Sequence, residues 1–187
     1  MARDAQETRR RLLDAARAEF AERGLDGARV DRIAEAAGVN KERIYGHFGN
    51  KEQLFEAVLS AALTEATELK PAAGLTDPAS YAAATFDFHR ANPHLIRLLM
   101  WESLQRRRIS PEAAARRARF YTETAQRLAA PGTDDETARF VLYGILALAT
   151  WAQALPVAGS MVFGGAPDPQ DLRERITNAV AALVESS

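Results

Sequence analysis

The chain has 187 residues, which is enough for one domain or two small ones with buried cores. Its net charge is −1, 47% of its residues are hydrophobic, and it has no cysteine, which excludes a disulfide framework and a thiolate metal site. The charged amino terminus enters a helical pattern directly, which is not typical of a signal peptide. The longest apolar run, residues 140–155, is too short to span a bilayer. We therefore expect a cytoplasmic protein without a membrane segment.

Apolar residues recur at helical spacing along the whole chain. In residues 4–23, Leu12, Ala16 and Phe20 share one stripe, and Gly24 is expected to end this helix because glycine tolerates a left-handed backbone. No stretch of useful length shows the period-two alternation of strands. A turn is expected at residues 70–78 and a long loop at residues 156–169. The predicted fold class is all-α, with helices over residues 4–23, 30–37, 41–48, 51–68, 79–92, 93–107, 111–130, 134–155 and 168–184.

Residues 30–48 have the pattern of a helix-turn-helix. Gly38 provides the tight turn between two short helices, and Ile44 and Phe48 are expected to complete a three-helix core with the first helix. Cations and hydrogen-bonding side chains are left on the other faces of the second short helix. Such side chains can contact phosphates and guanine edges in the major groove. In agreement with a DNA-binding amino terminus, residues 1–51 carry a net charge of +2 and the remainder a net charge of −3.

Many positions in residues 8–54 follow one fixed pattern, T-x-x-x-L-L-x-A-A-x-x-x-F-x-x-x-G and then V-x-x-I-A-x-x-A-G-V-N-K-x-x-I-Y-x-H-F-x-N-K-E-x-L. This pattern resembles the amino-terminal domain of the TetR/AcrR family. Members of that family are homodimeric all-α repressors that bind a palindromic operator, and a small molecule in the carboxy-terminal domain releases them. The resemblance implies a DNA-binding domain in residues 1–51 and an effector-binding and dimerisation domain in residues 52–187.

The resemblance also assigns contacts with double-stranded DNA to individual residues. It implies phosphate contacts from Tyr45 and from Lys51, which opens a helix where N–H groups favour an anion. It implies base or phosphate contacts from Asn40, Lys41, Arg43 and His47. Residues 9–11, all arginine, either support the DNA backbone or form a charged helix face. Arg3 is either a minor-groove arm or part of a frayed terminus.

The sequence departs from the family pattern at three places. The family usually has threonine or serine at position 28 or 29 to cap the second helix. Ala28 has no hydroxyl, so Arg29 is expected to provide the phosphate contact while Asp31 complements the helix dipole. Glu42 either accepts a hydrogen bond from cytosine or faces solvent, and Gly46 removes one side chain from base readout. The operator sequence is therefore not transferable from a relative.

The helices predicted at residues 134–155 and 168–184 are too apolar on all sides for the surface helices of a monomer. We expect a two-fold four-helix interface, because a two-fold protein matches a two-fold DNA site. The alternative is that these are core helices within one subunit. The predicted interface residues are Leu142, Ile145, Leu146, Ala149, Ile176, Ala179, Val180 and Leu183.

Large aromatic and polar side chains concentrate on the middle helices. A small-molecule pocket needs apolar walls and a few polar groups, although each of these residues also fits an ordinary core. Glu102 is either solvated or a partner for a cationic effector. Binding of an effector is expected to shift residues 51–68 and so change the spacing of the DNA-reading helices. The predicted effector-binding residues are Phe86, His89, Met100, Trp101, Leu104, Phe120, Tyr121, Thr124, Tyr143 and Trp151.

Other functional classes have less support in the sequence. No two of the three histidines share a helix face at i and i+4, and there is no glycine-rich phosphate loop or nucleophile elbow. We therefore expect no catalysis, no metal and no cofactor. A helical protein-interaction module that does not bind DNA is the remaining alternative, and activation instead of repression depends on the position of the operator.

Overall fold

The computed structural model describes residues 2–69, 75–105 and 109–185, with side chains described for residues 6–67 and throughout the two later ranges. These residues form ten α-helices and no strand, which confirms the all-α prediction. The helices are α1 (Ala2–Gly27), α2 (Val30–Ala37), α3 (Lys41–Phe48), α4 (Lys51–Leu69), α5 (Pro78–Ala91), α6 (Pro93–Leu104), α7 (Pro111–Leu128), α8 (Asp135–Ala154), α9 (Pro156–Phe163) and α10 (Pro169–Glu185).

The predicted loop at residues 156–169 is wrong in its first half, because α9 occupies it. Pro156 stands at the start of α9, where its missing N–H costs little, and Gly164 ends the helix with a φ of 70°. No single helix within the described ranges is long and apolar enough to cross a membrane; α8 and α9, which meet at a 95° bend, reach that length and composition only together. The predicted turn at 70–74, the predicted helix end at Arg107 and the side chain of Arg3 lie outside the described residues.

The chain divides by its internal contacts into two compact units. The first contains Met1–Glu65 and His94–Arg107, and the second contains Ala66–Pro93 and Arg108–Ser187. The predicted domain boundary after residue 51 remains a prediction, but the contacts group most of α4 and nearly all of α6 with the first unit. The chain therefore enters the second unit, returns to the first for α6 and then leaves it again.

The first unit has an aromatic and aliphatic core beneath its short helices. Phe20 of α1 meets Phe55 of α4 edge to face, with ring centroids 5.2 Å apart. Ile33 of α2 and Ile44 of α3 are both almost completely buried. Edge-to-face ring pairs stabilise by about 0.5–1.5 kcal/mol beyond their buried area. The apolar stripes of four helices thus converge on one core, which holds α2 and α3 in place.

The second unit is built around α8, which packs against α5, α7 and α10. Tyr81, Ile145 and Val180 are among its fully buried side chains. Gly144 permits the close approach of α10, because a Cβ at this position would lie 2.8 Å from Cδ2 of Leu183. One face of α8 therefore forms the centre of this unit's own core.

Candidate nucleic-acid interface

The helix-turn-helix begins with the turn between α2 and α3. Gly38 has a φ of 66° and a ψ of 38°, a left-handed conformation that favours glycine. Its N–H donates to the carbonyl of Glu35, and the N–H of Val39 donates to that of Ala34, which closes the end of α2. Ile44 and Phe48 are buried, as expected, so the opposite side of α3 faces solvent.

Asn40 forms the N-cap of α3. Its side-chain oxygen accepts a hydrogen bond from the backbone N–H of Arg43 at 3.0 Å. This cap satisfies one of the N–H groups that have no partner within the first turn of α3. It also occupies the side-chain oxygen of Asn40, so that the amide N–H groups remain to donate to DNA.

The predicted DNA-contacting side chains of α3 are all exposed. Arg43 and His47 are exposed, and Tyr45 is 41% exposed. Lys41 is also exposed, but its ammonium lies 2.8 Å from the carboxylate of Asp31 on α2. The hydrogen bond between these two groups raises the pKa of Lys41 and lowers the pKa of Asp31. Exposed pairs of this kind contribute little free energy, so a phosphate can replace Asp31 as the partner of Lys41.

Lys51 and Arg29 lie beside this face on other elements. The ammonium of Lys51, at the start of α4, donates to the carbonyl of Ala28 at 3.2 Å, and this contact holds the lysine near the start of α2. Two of its three N–H donors are left for other acceptors. The side chain of Arg29 is exposed. Both positions are compatible with the phosphate contacts that the sequence predicts.

Glu19 of α1 replaces the missing hydroxyl cap of α2. Its carboxylate accepts the backbone N–H of Arg29 at 2.9 Å and Nε of Arg32 at 2.7 Å. Burial by itself raises the pKa of Glu19, but these hydrogen bonds outweigh it and hold the pKa below its ordinary value. The start of α2 is therefore held by a charged group ten residues away in the sequence.

The structure places four further residues for which the sequence left alternatives open. Glu42 is exposed on α3, and a Cβ at Gly46 would meet no atom within 4 Å, so both lie at the surface. The guanidinium of Arg9 lies 5.0 Å from the ring centroid of Phe48, a cation–π contact that joins α1 to α3. Arg10 donates to Glu7 on the same helix.

Helix α1 is interrupted at Gly24, whose φ of 65° and ψ of −177° are not helical. A continuous helix would pair the N–H of Leu25 with the carbonyl of Ala21, and the break separates these two groups. Gly24 therefore interrupts α1 at the position where the sequence predicts a helix end. A second, short helical segment then follows as far as Gly27.

Two side chains from the α6 segment pair with the separated groups. The indole Nε1 of Trp101 donates to the carbonyl of Ala21 at 3.3 Å. The N–H of Leu25 donates to Oε1 of Gln105, one residue beyond α6, at 3.3 Å. The indole also lies over Gly24, where a Cβ would be 2.7 Å from two of its ring atoms. We call Trp101 and Gln105 the α1 clamp, because together they replace one missing helical hydrogen bond.

The ten predicted effector-binding residues do not form one group. Met100, Trp101 and Leu104 belong to α6 in the first unit, where the clamp already uses the indole N–H of Trp101. The other seven lie in the second unit. Phe86, His89 and Thr124 are buried there and Phe120 is partly buried; Tyr121, Tyr143 and Trp151 are exposed.

The predicted dimer interface needs a correction. Five of its eight residues pack into the core of their own unit, where they offer no surface to a second chain: Leu142, Ile145, Ala149, Ile176 and Val180. Leu146 and Leu183 are partly buried, and Ala179 is exposed. For these five residues the alternative drawn from the sequence holds, that of core helices within one subunit. The apolar side chains that remain exposed are Phe140, Tyr143, Leu148 and Trp151 on α8, and Val157, Met161, Val162 and Phe163 on α9.

The fold and the exposed side of α3 define a helix-turn-helix protein with a separate helical unit. A family model described as bacterial regulatory proteins of the tetR family matches residues 12–58. A second model, described as a tetracyclin repressor-like carboxy-terminal domain, matches residues 77–182. The two models thus cover both units of the chain.

Individual relatives agree with these matches. The HTH-type transcriptional repressor SCO4008 of Streptomyces coelicolor is 34% identical in an alignment of 193 residues that covers 98% of each chain. The HTH-type transcriptional regulator SrpR of Pseudomonas putida is 42% identical over 60 residues, 32% of this chain and 28% of SrpR. The crystal structure of SCO4942 from Streptomyces coelicolor has a TM-score of 0.72 and 34% identity, and covers 94% of this chain and 97% of that one.

This chain belongs to the TetR family of bacterial transcriptional regulators. It is a DNA-binding regulator with an amino-terminal helix-turn-helix and a helical carboxy-terminal domain. The family and its named relatives are regulators and not enzymes.

Replacing Trp101 by phenylalanine should weaken the α1 clamp without removing its ring. The variant leaves the carbonyl of Ala21 without its indole donor, so we expect the free energy of unfolding to fall by about 1 kcal/mol. Hydrogen exchange at the amide of Leu25 should also become faster. Arg119→Ala, at an exposed position of α7, is the control and should change neither quantity. Unchanged exchange at Leu25 in Trp101→Phe would contradict the role assigned to the clamp.

Proposed function

We propose that this protein is a homodimeric repressor that binds a palindromic operator through α3 and leaves it when a small molecule binds the carboxy-terminal domain. The observation that carries this proposal is the division of α3 into two sides. Ile44 and Phe48 anchor one side in the core, while Arg43, Tyr45 and His47 are exposed around the rest of the helix. A helix held in this way can enter the major groove without unfolding any part of the core.

We assign the DNA contacts in two groups. Arg43 and His47 are the main candidates for contacts with base edges, because both are exposed and end in polar or charged groups that can form hydrogen bonds. Phosphate contacts are assigned to Arg29, Lys41, Tyr45 and Lys51, and a donor role to the amide of Asn40. Phosphate contacts set the position of the helix on the duplex, and base contacts select the sequence.

The proposed dimer surface is the exposed apolar face of α8 and α9, which we call the α8–α9 face; it comprises Phe140, Tyr143, Leu148, Trp151, Val157, Met161, Val162 and Phe163. Soluble monomers rarely expose contiguous apolar surface of this kind. A second copy of the chain is the partner that fits best, because a two-fold dimer presents two identical reading helices to a palindrome. Ala179 of α10, which is exposed, stays in the proposed interface.

Repression is favoured by the name of SCO4008, a transcriptional repressor that aligns over nearly the whole chain. Release by an effector requires that the second unit influences the first. The chain offers two covalent routes, since α4 crosses from the first unit into the second and α6 follows directly after α5 of the second. By linkage, DNA must weaken binding of the effector by the same factor as the effector weakens binding of DNA.

Arg43→Ala should reduce operator affinity strongly. If Arg43 contacts a base edge, its removal costs about 1–3 kcal/mol of binding free energy and relaxes the preference at one position of the site. The measurement is fluorescence anisotropy with an operator fragment selected from genomic DNA, repeated over a range of salt concentrations. Arg119→Ala, an exposed arginine of α7, is the matched control.

The same titration separates this proposal from a helical protein-interaction module. A DNA-binding protein loses affinity steeply as salt rises, because phosphate contacts release counterions. Equal affinities for Arg43→Ala and the wild type would remove α3 from the interface. Absence of any salt-dependent DNA binding by the wild type would favour the interaction module.

Tyr143→Glu should break the proposed dimer. Tyr143 is 70% exposed, so a carboxylate at this position is harmless in a monomer but is buried without a partner in a dimer. Leu104→Glu is a matched control, because Leu104 is 68% exposed on a different helix. Analytical ultracentrifugation should find dimers for the wild type and Leu104→Glu, and monomers for Tyr143→Glu at the same concentration. A Tyr143→Glu protein that stays dimeric would place the interface elsewhere.

A further inference from the structure

Arg127 stands in an unusual environment near the end of α7. It follows Thr124 by three residues and therefore lies on the same side of the helix. Its Nε and Nη2 atoms are buried, and neither has a hydrogen-bond partner among the residues that the structure describes. Buried charged groups in proteins are normally paired, because an unpaired one retains the full cost of leaving water. A buried, unpaired guanidinium edge therefore requires an explanation.

These two nitrogen atoms form one particular edge of the guanidinium. Their N–H groups point in the same direction and match the two oxygens of a carboxylate. The chain uses the same edge on α1, where Arg10 donates to the two carboxylate oxygens of Glu7 from Nη2 at 2.8 Å and Nε at 3.2 Å. In Arg127 this edge has no carboxylate of the described chain beside it. The geometry of this edge of Arg127 is suited to binding a planar oxyanion.

Tyr81 lies near Arg127 and is polar but uncharged. Burial raises the pKa of Tyr81 to about 12, although the positive charge of Arg127 acts in the opposite direction. The Tyr81 hydroxyl, which is hydrogen-bonded to Thr124, therefore remains protonated at neutral pH and supplies no counter-charge. Tyr121 also lies within electrostatic range of Tyr81.

The core to which Tyr81 belongs is mostly apolar. Tyr81, Phe86, Ala125 and Leu128 all belong to the buried core cluster of the second unit. Apolar walls with a few converging polar groups are typical of small-molecule sites. Arg127 adds the feature that such a site needs for an anion, a partly buried cation with two buried, directed donors.

We propose that Arg127 binds the carboxylate of a small organic anion whose other atoms are apolar, and that this anion is the effector of the protein. This inference rests on the proposed function, since it names the class of molecule that acts through the second unit. Five predicted effector residues lie on the same two helices, α5 and α7: Phe86, His89, Phe120, Tyr121 and Thr124. A cationic effector at Glu102, the alternative drawn from the sequence, does not account for the unpaired edge of Arg127.

The first test needs no ligand. Arg127→Met keeps an unbranched side chain but removes the unpaired buried charge, so we expect the melting temperature of the free protein to rise by about 2–4 °C. Arg119→Met, at an exposed position of the same helix, should leave it nearly unchanged. A clear fall in the melting temperature of Arg127→Met would show that Arg127 stabilises the fold through partners of its own, and would overturn the proposal.

The second test uses octanoate and benzoate as probes, with octanamide and benzamide as neutral counterparts of the same shape. The acids should raise the melting temperature of the wild type and of Arg119→Met, and should bind Arg127→Met at least about tenfold more weakly. The amides should have little effect on any of the three proteins. Equal responses of Arg127→Met and the wild type, or no response of the wild type to either acid, would overturn the carboxylate site.

Operator binding in the same samples distinguishes a failure of the carboxylate site from a failure of the proposed DNA-binding function. If the free wild type binds its operator and the acids release it only when Arg127 is present, both the site and its effector role are supported. If the operator is bound but the acids fail to bind, the carboxylate site is wrong and the proposed DNA-binding function stands. If the free wild type binds no operator, the proposed function itself fails.

Discussion

The interruption of α1 at Gly24 is the constraint on which the arrangement of the DNA-binding unit depends. The break separates two backbone groups inside the unit, and Trp101 and Gln105 satisfy both from a segment about 80 residues later in the chain. That segment follows α5 of the second unit directly. The clamp thus makes α6 part of the unit that carries α3, beside the break that precedes α2.

Most of the fold could be predicted from local sequence patterns. The helices follow from apolar periodicity, and the turn at Gly38 and the N-cap at Asn40 follow from residues whose backbone preferences are strong. The face of α8 could not be predicted in the same way, because the helix is apolar on nearly every side. Periodicity identifies a buried face only by contrast with a polar one. Only the packing of the helices shows that Ile145 is buried and that Tyr143 is exposed.

The candidate site, too, could be predicted only in part. The exposed side of α3 could be predicted, since it is what remains once Ile44 and Phe48 face inward. The supporting contacts could not, because Glu19 with the Arg29 amide, Lys51 with the Ala28 carbonyl and the clamp all join residues far apart in sequence. The buried position of Arg127 could not be predicted either, for another reason. It belongs to an arginine-rich amphipathic helix, and only its spacing of three residues from Thr124 indicates that it turns inward.

The central claim is that two copies of α3 read a two-fold DNA site. Sequencing of genomic fragments captured by the purified wild-type protein tests it most directly. The account predicts enrichment of one palindromic motif whose half-sites are centred one turn of DNA apart, about 34–36 Å. Fragments without a shared motif, or a motif with a single unpaired half-site, would contradict it.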